Sequence, residues 1–163
     1  MRADTLTTLA TLVGARLKAK GLMLATAESC TGGWVAQAVT AIAGSSDWFE
    51  RGFVTYSNAA KMEMLRVKAG TLRTHGAVSE QTAGEMAAGA IARSRAQVAV
   101  AVTGIAGPGG GSAEKPVGTV FIALATSKKT FVEKHILTFD RATFKYVAAQ
   151  TALNMLRKAL RKS

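Results

Sequence analysis

The chain has 163 residues, about the length of one domain, and 48% of them are hydrophobic, too many for a disordered chain. Twenty-one Lys and Arg stand against ten Asp and Glu, a formal charge of +11. A single cysteine excludes an intrachain disulfide and a multi-cysteine zinc site, and the two histidines, His75 and His135, are too far apart in sequence to suggest a metal cluster.

Residues 4–19 place Leu6, Leu9, Val13 and Leu17 on one helical face, and Gly21 stops the helix. Residues 22–26 (LMLAT) read as a short buried strand, and AESCTGG (27–33) as a turn of small residues before a helix at about 33–43. Gly44 to Asp47 form a polar break. Residues 52–56 (GFVTY) read as a strand, Asn58 as the N-cap of a helix at 59–66, and residues 68–78 as a loop. Ser79 caps the next helix, in which Ala83, Met86, Ala87, Ala90 and Ile91 share one face. QVAVAV (97–102) has no polar face, as expected of a strand covered on both sides. After a glycine-rich loop at 103–118, residues 119–126 and 130–138 read as a hairpin, its charged second strand at a sheet edge. A last helix starts near Asp140. Alternating helices and strands with a late hairpin predict a single α/β domain over 1–163, a three-layer α/β/α sandwich with a mixed, mostly parallel sheet.

No apolar run reaches the roughly 18 residues of a membrane span, and residues 1–21 contain no secretory apolar core, so a cytoplasmic protein with no membrane partner is expected. Six cations and no acid follow Asp140, with no aromatic residues between them positioned as a single-strand stacking platform. The plain reading is a solvated helix face. No specific nucleic-acid partner is expected, although so basic a chain binds polyanions non-specifically at low salt.

Three features carry chemistry. The loop at 103–118 fits neither the P-loop nor the dinucleotide fingerprint. Its length still favours a ligand-contacting loop over a plain crossover. The 27–33 turn joins a strand end to a helix start, where unpaired N–H groups attract anions and Ser29 and Thr31 add hydroxyls. Ser29 or Thr31 as a simple N-cap is compatible with that reading, and Cys30 is either a small buried residue or a nucleophile. Third, Ser46, Tyr56 and Lys61 have the parts for acyl transfer without histidine. Serine is the nucleophile, lysine near a helix N-terminus is the base, and tyrosine relays the proton. Read alone, the same three are more simply a cap, a half-buried strand residue and a solvated lysine.

AESCTGG (27–33), GSSDWFERGFVTYSNAAK (44–61), GAVSE (76–80) and TGIAGPGGGSAEKPVGTV (103–120) occur together in this order. In that combination the chain resembles the C-terminal domain of competence-damage-inducible protein A (CinA), over essentially its whole length. Stand-alone members of that family hydrolyse the carboxamide of nicotinamide mononucleotide to nicotinate mononucleotide and ammonia. The resemblance implies an α/β/α domain, pyridine-nucleotide salvage, no metal or other cofactor, and a Ser–Tyr–Lys set mapped here onto Ser46, Tyr56 and Lys61, with Ser45 the adjacent alternative. It implies substrate contacts from Glu28, Ser29, Cys30, Thr31, Gly32, Gly33, Thr103, Gly104, Ala106, Gly107 and Arg141. Lys145 stands where relatives commonly carry a second arginine. A homodimer or higher homo-oligomer is expected. The competing readings are a non-enzymatic ligand-binding or competence-related accessory module, and an amidase for another nucleotide-like amide.

Overall fold

The computed structural model describes residues 5–161. Its elements are α1 (Thr5–Lys20), β1 (Leu24–Glu28), α2 (Trp34–Thr40), a 3₁₀ turn (Ser45–Asp47), β2 (Phe49–Val54), α3 (Asn58–Leu65), α4 (Ala69–His75), α5 (Glu80–Ala92), β3 (Val98–Gly104), β4 (Thr119–Thr126), β5 (Thr130–Ile136) and α6 (Arg141–Arg161). The five strands form one sheet in the order β2-β1-β3-β4-β5. β1 pairs in parallel with both β2 and β3, while β4 runs antiparallel between β3 and β5. Four strands therefore point one way, and β5 is an edge strand as its charges suggest.

Strand composition sorts the two faces. In β3, Val98, Val100 and Val102 face α1, α2 and α6, whereas Ala99 and Ala101 face the α3–α5 side. The valine face builds the larger core, with Leu17, Phe144, Leu153 and Leu156. The alanine face lets α5 lie close through Ala83, Met86, Ala87 and Ala90. Gly89 extends this economy of size: a Cβ there would sit 1.9 Å from the Leu65 carbonyl oxygen, so α3 and α5 touch only because the side chain is missing.

Three local expectations change. Ser57, not Asn58, caps α3, accepting a hydrogen bond from the Ala60 N–H at 3.0 Å. The stretch read as a loop contains α4, whose N-terminus is capped by another helix: Glu85 of α5 accepts from the Lys68 N–H and the Thr71 hydroxyl. Strand β2 also starts and ends earlier than the sequence suggests, leaving Thr55 and Tyr56 beyond it. Elsewhere Gly21 ends α1 at φ 66°, Ser79 caps α5, and Asp140 caps α6 by accepting from the Thr143 N–H at 2.8 Å.

The order of the strands positions the site. From β1 one crossover leads to β2 on one side, and the chain then returns to β3 on the other. The carboxyl end of β1 is thus the point where connections diverge, the usual ligand crevice of an open α/β sheet.

Candidate active site

Ser29 is the first residue past β1. Its N–H donates to the Val102 carbonyl, while the Thr55 N–H donates to the carbonyl of Glu28, so the neighbouring strands hold this strand end on both sides. Lys61 enters from the first turn of α3 and is 1% exposed. Its Nζ lies 3.0 Å from Ser29 Oγ, 2.9 Å from the Thr55 carbonyl oxygen and 3.3 Å from that of Tyr56. Among the described residues no carboxylate pairs with it. Burial without a counter-ion disfavours the ammonium, so the Lys61 pKa is pushed down from the ordinary lysine value, against a smaller upward pull from Cys30. A serine hydroxyl touching a buried amine of lowered basicity is the arrangement an amine-activated nucleophile requires.

The structure does not bring Ser46 into this group. Ser46 is exposed in the 3₁₀ turn that precedes β2, and Ser45 beside it is half-buried. Phe49 pairs with Leu24 at the start of β1, while Lys61 and Ser29 sit at the other end of these strands. The six residues of β2 separate them by roughly 20 Å of extended chain. The GSSDW segment has a packing role instead: the Ser45 carbonyl accepts from the Trp48 N–H, and the buried Trp48 ring fills the space beside Gly14. The serine facing Lys61 is Ser29, which the sequence placed among the substrate contacts.

Tyr56 follows β2 and is 63% exposed. Its hydroxyl oxygen accepts from Arg141 Nη2 at 3.1 Å, and Arg141 Nη1 donates to the Gly107 carbonyl at 3.0 Å. One guanidinium from the start of α6 therefore ties Tyr56 to the glycine-rich loop. Because the phenol oxygen accepts there, its own proton is directed elsewhere. One turn along α6, Lys145 Nζ lies 3.6 Å from where a Gly32 Cβ would stand, a second cation over the 27–33 turn.

The start of α2 is occupied by the protein itself. Glu28, 1% exposed, accepts from the Val35 N–H at 2.8 Å and the Thr31 hydroxyl at 2.6 Å through Oε1. Through Oε2 it accepts from the Ala36 N–H at 3.0 Å. An anion is expected at this helix end, but the anion is Glu28, and neither Ser29 nor Thr31 caps the helix. Gly32 and Gly33 reach it with φ of 61° and 106°, a left-handed pair that L side chains adopt only with strain. Cys30 is buried in the valine-face core, and desolvation pushes its thiol up to about 12, which removes it as a thiolate nucleophile.

Thr103, Gly104, Ala106 and Gly107 continue β3 into the loop at the same end of the sheet. The Ile105 N–H donates to the Thr119 carbonyl and the Gly118 N–H to that of Ile105, so the two arms are clasped. The Thr103 hydroxyl donates to the Ala77 carbonyl at 2.8 Å, linking the GAVSE segment to the loop. A Cβ at Gly107 would stand 2.3 Å from Val117 Cγ1. The expected contact residues therefore lie at the same end of the sheet as Ser29 and Lys61, whereas the expected nucleophile Ser46 lies at the other end. Among the described residues no group of three or more His, Cys, Asp or Glu is arranged to hold a metal ion. None of the described helices is long and apolar enough to cross a membrane.

The chain is 54% identical to the nicotinamide-nucleotide amidohydrolase PncC of Escherichia coli (strain K12) over 145 residues, 88% of each chain. It is also 54% identical to a CinA-like protein of Syntrophobacter fumaroxidans over 149 residues, 91% of this chain but 35% of that longer one. The crystal structure of the competence/damage inducible protein CihA from Agrobacterium tumefaciens superposes with a TM-score of 0.94 at 49% identity, covering 99% of both chains. The family model of the CinA C-terminal domain matches residues 6–160. With that match over nearly the whole chain, the protein belongs to the CinA C-terminal domain family.

Proposed function

We propose that this protein hydrolyses the carboxamide of nicotinamide mononucleotide to nicotinate mononucleotide and ammonia, with Ser29 as nucleophile and Lys61 as base. The observation that carries the chemistry is the 3.0 Å contact between Ser29 Oγ and the buried Lys61 amine. The substrate class comes from the similarity to nicotinamide-nucleotide amidohydrolases over most of the chain.

Neutral Lys61 takes the Ser29 proton as Oγ attacks the amide carbon. The carbonyl π electrons move to oxygen, and backbone N–H groups of the turn after Ser29 hold the oxyanion. As the oxyanion collapses, the C–N bond breaks and Lys61 returns its proton to the departing nitrogen, releasing ammonia. Water, deprotonated by Lys61, then attacks the ester carbon, and Ser29 leaves reprotonated. Tyr56, held by Arg141, presents a hydroxyl donor at the rim of the site. The pyridinium charge withdraws electrons from the amide carbon, so the residues present suffice. The substrate phosphate lies between the glycine-rich loop and the Arg141–Lys145 turn of α6. The start of α2 does not take it, because Glu28 would repel it there.

The substrate assignment is tested by ammonia release from nicotinamide mononucleotide, nicotinamide riboside and free nicotinamide. The proposal expects turnover of the mononucleotide and a kcat/KM at least 100-fold lower, on the order of the loss of one charged contact pair, for the two lacking phosphate. Equal turnover of free nicotinamide would remove the phosphate from the account. We further place the reaction in the cytoplasm, on the expectation drawn from the sequence.

A further inference from the structure

The charge of this molecule is not spread evenly. Helices α1, α5 and α6 all end at the pole opposite Ser29, where β1, β2 and β3 begin and the β4–β5 turn lies. The last turns of α1 and α6 bring Lys18, Lys20, Lys158 and Arg161 to it, with Arg16 and Arg157 just before them. Arg51 lies in the first half of β2 there, Arg93 and Arg95 follow α5, and Lys128 and Lys129 form the hairpin turn. Among the described residues the carboxylates at this pole are Asp47 and Glu50. Eleven cations against two acids give this pole +9, while the rest of residues 5–161 holds eight cations and seven acids.

Part of that charge has a local explanation. Each helix C-terminus carries about half a negative charge, so three of them offset roughly 1.5 of the nine. Asp47 pairs with Lys18 at 3.3 Å and Glu50 with Arg51 at 2.7 Å. The excess that persists sits on a pinned surface. Arg16 donates to the Arg157 carbonyl and joins α1 to α6, Arg51 donates to the Arg93 carbonyl, and the Arg95 N–H donates to Glu50.

We propose that this pole docks the phosphate backbone of a nucleic-acid duplex. A second copy of the chain would present the same positive face and be repelled. A lipid surface calls for apolar side chains among the cations. None of the exposed large hydrophobic residues lies at 16–20, 93–97, 127–129 or 157–161. No aromatic residue occurs in those segments, and beside Arg51 Trp48 is buried and Phe49 half-buried, which disfavours single strands that bind by stacking. What the surface offers is charge at fixed spacing, the requirement of backbone binding. A duplex carries one phosphate charge per ~1.7 Å of its axis. A platform about 20 Å across, the width of five strands, therefore faces on the order of five phosphates on one side of the duplex. The inference stands apart from the amidohydrolase reading, because these residues lie at the far end of the sheet.

The test is fluorescence anisotropy with a labelled duplex DNA of about 20 base pairs and mixed sequence, titrated from about 50 to about 200 mM salt. Wild type is expected to bind with a log–log salt slope of about −4 to −5, losing several-hundred-fold in affinity across that range. Lys128→Glu with Lys129→Glu, and separately Lys158→Glu with Arg161→Glu, should each weaken binding at least about tenfold and flatten the slope by about two. Both pairs should leave ammonia release unchanged, which shows that the variants fold. A control pair remote from the pole, Arg73→Glu with Lys134→Glu, should weaken binding no more than about threefold. Absent binding at about 50 mM salt overturns the proposal, as does a control pair that matches the pole pairs. Tighter capture by phosphatidylserine-containing vesicles than by the duplex overturns it in favour of a membrane surface.

Discussion

Glu28→Gln perturbs the site without touching the two groups proposed to do the chemistry. The carboxylate accepts three hydrogen bonds, from Thr31, Val35 and Ala36, and is 1% exposed. Glutamine has the same shape but one acceptor oxygen. If that oxygen faces Thr31 and Val35, the amide NH₂ faces the Ala36 N–H, and two donors meet. Hydrogen bonds to a charged group contribute about 1.5–3 kcal/mol each, and a carboxylate at a helix N-terminus adds up to ~2 kcal/mol in a partly buried setting. Losing one bond outright and the charge assistance of the other two gives an expected destabilisation of about 2–4 kcal/mol. Equilibrium urea unfolding measures it, as a lower midpoint at unchanged m-value. Because this turn sets the position of Ser29, kcat should fall at least about tenfold while KM changes little, the pattern of a lost transition-state arrangement. A loss below about 0.5 kcal/mol, the range of ordinary surface substitutions, would refute the reasoning that Glu28 holds the turn.

Other expectations follow from the same geometry. Lys61→Met removes a buried amine whose pKa is depressed in the folded state. Between that depressed value and the ordinary lysine value the unfolded wild-type chain holds one more proton than the folded one. Wild-type stability relative to Lys61→Met should therefore rise with pH across that window in urea titrations, and a flat difference would contradict it. Wild-type kcat/KM should likewise rise with pH through the depressed Lys61 value, as base catalysis requires. Gly89→Ala drives a methyl group into the Leu65 carbonyl and should cost about 3 kcal/mol or more, read as a loss of Tm. Arg141→Gln frees Tyr56 and the glycine-rich loop together, and should raise KM and lower kcat, whereas Lys145→Gln should act mainly on KM. Cys30→Ala should keep kcat within a few-fold, and the native protein should resist iodoacetamide near neutral pH because burial holds the thiol protonated.

The three-layer architecture was legible because periodicity and composition agreed. The unbroken apolar run of β3 marked a strand covered on both sides, and the charges of β5 marked an edge. Helix α4 was not legible, because its N-terminal N–H group is satisfied by Glu85, 17 residues along the chain, and its own residues include Gly70 and two threonines. Of the expected Ser46, Tyr56 and Lys61, the last two lie with Ser29 at the carboxyl ends of β1 and β2, and Ser46 does not. The sequence distance from Ser46 to Lys61 is shorter than that from Ser29, and only the parallel pairing of β1 with β2 shows that Ser29 lies beside Lys61 while Ser46 lies a strand length away. One signal in the sequence favours the proposed Ser29. Ser29 directly follows an apolar strand and precedes a glycine-opened helix, the strand–turn–helix position from which a nucleophile projects at the carboxyl end of a sheet. Glu28 as the helix cap left no such trace, since its partners lie seven and eight residues on.

The most direct test of the central claim compares kcat for nicotinamide mononucleotide hydrolysis among wild type, Ser29→Ala, Lys61→Ala and Ser46→Ala, each shown to fold by circular dichroism. Loss of a nucleophile with its paired base should lower kcat by about 10⁴-fold or more in the first two variants, and the double variant should be no worse than either alone because the two act as a unit. Ser46→Ala should retain wild-type kcat within a few-fold. Sustained turnover in Ser29→Ala, or its loss in a folded Ser46→Ala, would contradict the account.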